Sequence, residues 1–477
     1  MSQPSRRLLI SCLVIGAAAC LCLSVLSLGT VSYLALFPNN SPFSQVNPTL
    51  QATGIIQTAA SPTVQSASSS PTATAVYAPV TPDVARQMDK IQQQVIQIRG
   101  LQAQEPVTRV LITPAQLAQR ILSDFSQQNN QKDIQDNSNE LIALGLITPD
   151  FDLYHYLQSL QTEQIAGFYD DKIKEMFVVS SSGFGGNEKW TYSHEYTHAL
   201  QDQNYNIEHG LNYNDLICKK ESERCAAIQA LLEGDASLTA LDWVKKYASI
   251  QDITQIQQYA GSLKLPVYDQ APDFLKQDFD FPYLQGQDFV QFLFNKGGWD
   301  AVNQAFKNPP VSTAQILHPE LYPDQKPITI TLPDLSSAFG AGWRKVEENS
   351  LGEWYTYLML AHGIDPKTRL DDKTARAAVQ GWAGDTYAAY CNDELKATAI
   401  VLVSIWGSTL QAQQFASAFQ IYSNDRFGTP TINESNTMSW SPDGIYAEFN
   451  LNDKRTTWIY APDAHTAQAI WEALQKP

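Results

Sequence analysis

His194-Glu195-Tyr196-Thr197-His198 combines residue types and spacing suited to metal-assisted hydrolysis. On a helix, residues four apart share a face about 6 Å apart along the axis, so two imidazoles can converge on one tetrahedral ion. Glu195 then lies beside the ion's open position, where a carboxylate can take a proton from attacking water. Zinc lowers the pKa of such a water to about 7, which makes the nucleophile available near neutral pH. A surface helix with two histidines is the bland alternative, so the remaining parts of a site must be sought along the chain.

The longer zinc pattern H-E-x-x-H-x-x-G-x-x-H is excluded, because Gln201 and Asn204 stand where it needs a glycine and a histidine. A third ligand must come from farther on, among Glu208, His209, Asp215, Glu221, Glu223, Glu233 and Asp235. Glu233 is the choice. Ala226, Ala230, Glu233, Ser237 and Ala240 fall on one helical face, small apart from the glutamate, so a neighbouring helix can come close. A carboxylate buried there needs a partner, and Gly234 inside a helix is a further local penalty, a combination that marks sites. The alternative is a glutamate paired with a buried arginine or lysine. Asp235 lies about 200° round the helix from Glu233, which suits another buried ion pair better than orienting a ligand histidine. Hydrolysis also needs a donor for the developing oxyanion, and His318 and Tyr283 are the candidates.

Two motifs carry a resemblance: His194 to Gln203, HEYTHALQDQ, and Glu233 to Ala236, EGDA. The chain resembles the thermolysin-like gluzincins, which take two histidines from such a helix and a glutamate from a later one. It looks closer still to a group of largely uncharacterised prokaryotic surface proteins with HExxHxLQDQ and EGDA. That similarity takes in GFYD at Gly167 to Asp170, FPY at Phe281 to Tyr283 and STAQILHP at Ser312 to Pro319, and spans roughly residues 85 to 325. Gly352-Glu353-Trp354 and GWAGD at Gly381 to Asp385 recur in the same group without an evident chemistry. The resemblance implies a zincin-like fold, bound zinc, and an edge strand along which an extended peptide lies by β-addition.

Several elements would position these residues. Met88, Ile91, Val95 and Ile98 predict a helix over Asp83 to Leu101, and another is expected from Pro114 to Phe125. The segment Gln164 to Ser180 reads as a hairpin about Asp170-Asp171-Lys172. A Gly-rich loop follows, then the motif helix from Trp190 to Gln203 and a second helix from about Ala226 to Tyr247. Helices are also expected at Phe289 to Phe294 and Ala301 to Phe306. After about Lys326 the pattern changes to ITITLP, a helix around Glu353 to Ala361, a strand at Ala399 to Ile405, a helix at Leu410 to Tyr422, strand pairs from Gly444 to Tyr460 and a last helix ending at Leu474. The fold class is therefore α+β, with a zincin-like domain over residues 83–326 and a C-terminal α+β lobe over residues 327–477. Trp382 and Trp406 are expected in its core.

The N-terminus adds a location. Arg6 and Arg7 precede an uncharged, mostly apolar run from Leu8 to Phe37, long enough to span a bilayer and oriented with the N-terminus inside. A cleaved signal peptide is the alternative, although its apolar region is usually shorter. Residues 38–82, rich in Ser, Thr, Pro, Ala and Gln, read as a disordered stalk. Of the 6 cysteines, Cys12, Cys20 and Cys22 fall in the apolar run; outside the cytoplasm disulfides persist, so of the other three Cys218 and Cys225 are expected to pair, leaving Cys391 single and buried. A formal charge of -17 argues against nucleic acid as a partner. The expected function is that of a membrane-anchored, extracytoplasmic zinc peptidase acting on a peptide or protein. A surface binding protein with a structural zinc site, and a zinc hydrolase of non-peptide amides, are the alternatives.

Overall fold

The computed structural model describes residues 80–128, 130–163, 167–179, 183–434, 436–442 and 444–475. The membrane-spanning expectation, and the stalk up to residue 79, lie outside the described residues. Among those described, no helix is long and apolar enough to cross a membrane.

The chain begins with α1 (Pro82–Arg99), started by Thr81, whose hydroxyl accepts the Val84 N–H, and ended by Gly100 at φ 74°. Strand β1 (Thr108–Ile112), α2 (Pro114–Gln128), α3 (Gln131–Leu144) and α4 (Leu153–Glu163) follow. The hairpin is then formed by β2 (Gly167–Asp170) and β3 (Glu175–Val179). Its strands pair antiparallel with Phe168 opposite Phe177, and β1 pairs parallel with β3 so that Val110 faces Phe177. The order β1-β3-β2 makes β2 an edge.

Helix α5 (Gly186–Tyr205) packs on this sheet, and α6 (Ser222–Tyr247) and α7 (Ile250–Ser262) pack on α5. Every residue of α5 from Trp190 to Asp202 is buried, although most of them are polar. Buried polar groups need partners, so this helix is tied into networks rather than greased into place. Helix α8 (Asp273–Lys307) crosses α6. The two backbones meet at glycines: a Cβ on Gly234 would sit 2.1 Å from Gly286 O, and one on Gly286 2.2 Å from Ala230 O. The small face of α6 thus does admit a neighbour. The two helices expected at Phe289 to Phe294 and Ala301 to Phe306 lie in α8 on either side of non-helical Gly297 and Gly298, and the first extends back through Pro282 to Asp273. Pro282 hides the N-terminal extension in the sequence, and the glycine pair makes the break.

The C-terminal part contains β4 (Trp343–Asn349), α9 (Gly352–Ala361), α10 (Asp372–Val379), β5 (Trp382–Asn392), β6 (Ala397–Trp406), α11 (Thr409–Phe427), β7 (Ile432–Asn433), β8 (Thr437–Trp440), β9 (Tyr446–Asn452), β10 (Arg455–Ala461) and α12 (Ala464–Leu474). Its strands form an antiparallel sheet in the order β4-β5-β6-β10-β9-β8-β7. One face, with Leu402, Phe449 and Trp458, packs on Phe415 and Phe419 of α11; the other, with Val401, Val403 and Ile459, packs on Ala467 and Ile470 of α12. Burial on both faces explains why β6 reads as a continuous apolar run. Trp382 and Trp406 are core residues, 2% and 1% exposed.

A mixed α+β architecture is therefore present. The core does not divide at residue 326, because Leu231 and Phe274 belong to the same apolar cluster as Trp354, Leu402 and Trp458.

Candidate metal centre

Helix α5 presents His194 and His198 on one face, and α6 brings Glu233 against them. The Nε2 atoms of the two histidines are 3.1 Å apart. Glu233 Oε2 lies 3.1 Å from His194 Nε2 and 3.4 Å from His198 Nε2. Four tetrahedral donors about 2.0–2.1 Å from a zinc ion stand about 3.3 Å from one another, so these three atoms have the spacing of one face of such a tetrahedron. Among the described residues they are the only group of three or more histidine, cysteine or acidic side chains close enough to hold a metal.

The surroundings are dry. His194 and Glu195 are 0% exposed, Glu233 1% and His198 5%. Burial lowers the His194 pKa against the pull of Glu233. Burial also acts to lower His198, but the Glu233 and Glu195 carboxylates outweigh it and the net shift is upward. Burial would raise Glu233, and the two histidines overcome it and hold its carboxyl below the ordinary value. In this cluster opposite charge therefore opposes the cost of burial. A divalent cation does the same electrostatic work: with Glu233 and Glu195 ionised, the buried charges sum to zero.

Glu195 Oε2 accepts the backbone N–H of Tyr169 in β2 at 3.2 Å. The edge strand expected to receive a peptide therefore has this N–H engaged by Glu195. The Tyr169 hydroxyl donates to Asp202 Oδ2 at 2.9 Å, and Lys174 of the hairpin pairs with the same carboxylate, which locks the hairpin onto α5. Tyr283, three residues before the Gly286 crossing, has its ring centroid 6.5 Å from that of His194. Gln201 and Arg99, assigned no role from sequence, are linked to the centre: Gln201 bonds His198 and Asp235, and Arg99 pairs with Asp235. The buried ion pair expected for Asp235 is thus present. A glutamine one helical turn beyond the second histidine, on its face, was the signal for Gln201.

His318, expected as a donor to the oxyanion, directs its Nε2 at a carboxylate. Its Nε2 is 2.7 Å from Glu353 Oε1, and this carboxylate raises the His318 pKa against burial. The bond belongs to a buried junction between α6 and the C-terminal sheet. Glu223, in the first turn of α6, accepts the Thr313 N–H and hydroxyl at 2.6 and 2.8 Å. Asp385 accepts the Ser350 hydroxyl, the Leu351 and Gly352 N–H groups and the Trp382 indole N–H. Gly352 has φ 72°, and a Cβ there would lie 2.0 Å from Glu223 Oε2. The segments STAQILHP, Gly352-Glu353-Trp354 and GWAGD therefore converge on one structural joint. A disulfide joins Cys218 to Cys225 in the first turn of α6, and Cys391 is buried and free.

A family model described as Domain of unknown function (DUF8575) matches residues 339–471, which takes in all seven strands of the C-terminal sheet and leaves His194, His198 and Glu233 outside. No curated protein and no solved structure matches the chain.

Proposed function

We propose that this chain is a zinc-dependent peptidase of zincin-like fold, anchored in a membrane through residues 8–37, with its working part outside the cytoplasm. The observation that carries the proposal is the convergence of His194, His198 and Glu233 at tetrahedral spacing, with the Glu195 charge acting on His198. These three would hold the ion. When bound, zinc supplies Lewis acidity, bringing the pKa of water in contact with it toward 7. Glu195 takes the proton from the attacking water and carries it to the leaving amine. Tyr283, beside His194, is the donor to the developing oxyanion. The β2 edge aligns an extended peptide by its backbone.

A structural metal site is the second reading, favoured by the burial of all four residues. Against it, structural zinc sites use four protein ligands, and this group supplies three, which leaves a position open.

Metal content and cleavage of a peptide library by the full-length protein test the two readings. One zinc per chain, cleavage by wild type, and a Glu195→Gln variant that keeps the metal but loses cleavage support the peptidase. Zinc with no cleavage supports the structural site, and absence of zinc removes both.

A further inference from the structure

We infer that Gln201, Asp235 and Arg99 are positioning residues that fix the tautomer and ring plane of His198; this deepens the metal-site reading and rests on it. Gln201 Oε1 lies 2.8 Å from His198 Nδ1. The other end of the amide determines which way it faces. Its Nε2 donates to Leu232 O at 3.0 Å and to Asp235 Oδ2 at 2.9 Å, and both of these atoms can only accept. The amide oxygen therefore points at the ring. An oxygen without a proton cannot donate, so His198 carries its hydrogen on Nδ1 and keeps the Nε2 lone pair free. Nε2 is the atom that converges with His194 and Glu233.

Asp235 is fixed in turn. Arg99 Nε lies 2.6 Å from its Oδ1, with both side chains 0% exposed. The guanidinium also reaches Asn303 Oδ1 at 2.7 Å and lies over the Trp299 ring at 4.6 Å. Rotating His198 would break a run of buried bonds that extends through α6 to the last turn of α1. The arrangement is one-sided, since among the described residues His194 Nδ1 has no hydrogen-bond partner. It is also charge-neutral: Asp235 is balanced by Arg99, and Gln201 orients the histidine without adding a charge to the site.

The test compares Gln201→Met with the charge-conserving double variant Gln201→Glu/Asp235→Asn in the full-length chain, with zinc affinity read by competition against a chromophoric chelator and ligand geometry by the visible spectrum of bound Co2+. Methionine has no strong acceptor, whereas glutamate keeps an acceptor toward Nδ1 and the asparagine amide supplies a donor to its second oxygen. Zinc affinity is expected to fall about 10- to 100-fold in Gln201→Met, with a changed cobalt spectrum, and to stay within about threefold of wild type in the double variant. Equal losses in both would mean that the acceptor toward Nδ1 is not what holds the ring, and unchanged affinity in Gln201→Met would mean that Gln201 does nothing for the metal; either overturns the inference and leaves the metal site standing. Failure of wild type to bind zinc overturns both. Should Gln201→Met not fold, 15N spectra of the histidine-labelled, zinc-loaded wild-type chain decide: a proton on His198 Nδ1 supports the assignment, and metal on Nδ1 refutes it.

Discussion

Glu195 is bonded to the backbone of Tyr169, its Oε2 accepting the N–H of that residue at 3.2 Å, so the proposed base and the edge strand β2 hold each other in place. Glutamine at position 195 retains an oxygen that can accept this N–H. The Glu195→Gln variant is therefore expected to fold and bind metal as wild type does, while kcat falls by about 10²-fold or more. Steady-state peptide cleavage, with circular dichroism and metal content alongside, checks the three together; wild-type turnover in the variant would remove Glu195 from the chemistry.

Metal removal should loosen the α5 and α6 pair. A ligand that binds only the folded state stabilises it by about 2.7 kcal/mol at 100 times its dissociation constant. Thermal unfolding with and without a tight chelator should show a lower midpoint for the stripped wild-type chain and no chelator effect in Glu233→Ala. Equal midpoints for stripped and zinc-loaded wild type would count against a metal in this cluster.

Arg99 and Asp235 form an ion pair with neither side chain exposed. Removing one partner leaves an uncompensated buried charge, so Arg99→Met should cost about 3–5 kcal/mol, whereas Arg99→Met with Asp235→Leu should recover much of that loss. Urea unfolding of the two variants gives the comparison. If the double variant is no more stable than the single one, the cost lies in lost packing against Trp299 and Phe306 instead.

Glu223 predicts a pH dependence. Burial, with the Asp385 and Glu353 charges adding to it and the Thr313 bonds opposing it, pushes its pKa from 4.5 up to about 8. The folded state thus holds a proton that the unfolded state has released. Stability from this group is fully present below about pH 4.5 and is lost as pH rises through about 8. Melting temperatures from about pH 5 to about pH 9 should fall more for wild type than for Glu223→Gln. Parallel curves would show that Glu223 is ionised at the joint throughout.

Much of the site could be read locally. The two histidines and Glu195 lie within one turn of one helix, where a period of 3.6 residues alone fixes which side chains share a face. Glu233 was legible because its neighbours at helical spacing are small, and the disulfide because Cys218 and Cys225 are near in sequence and bracket a polar loop. Strand β6 and the hairpin gave clear patterns, whereas β5, WAGDTYAAYCN, has too much alanine and glycine to signal a strand and is held by β4 and β6 on either side.

What the chain order could not disclose were pairings between distant elements. His318 was read as a donor to the oxyanion, and its bond to Glu353, 35 residues on, has no signal in the sequence. Gln201 gained its place only when α6 set Leu232 and Asp235 against it, and Asp235 its partner only when the end of α1 reached α6. The sequence by itself determined the local order of donors along α5 and α6. The crossing of helices decided which of those donors meet, because contact at Gly234 and Gly286 depends on the shapes of two surfaces that lie about fifty residues apart in the chain.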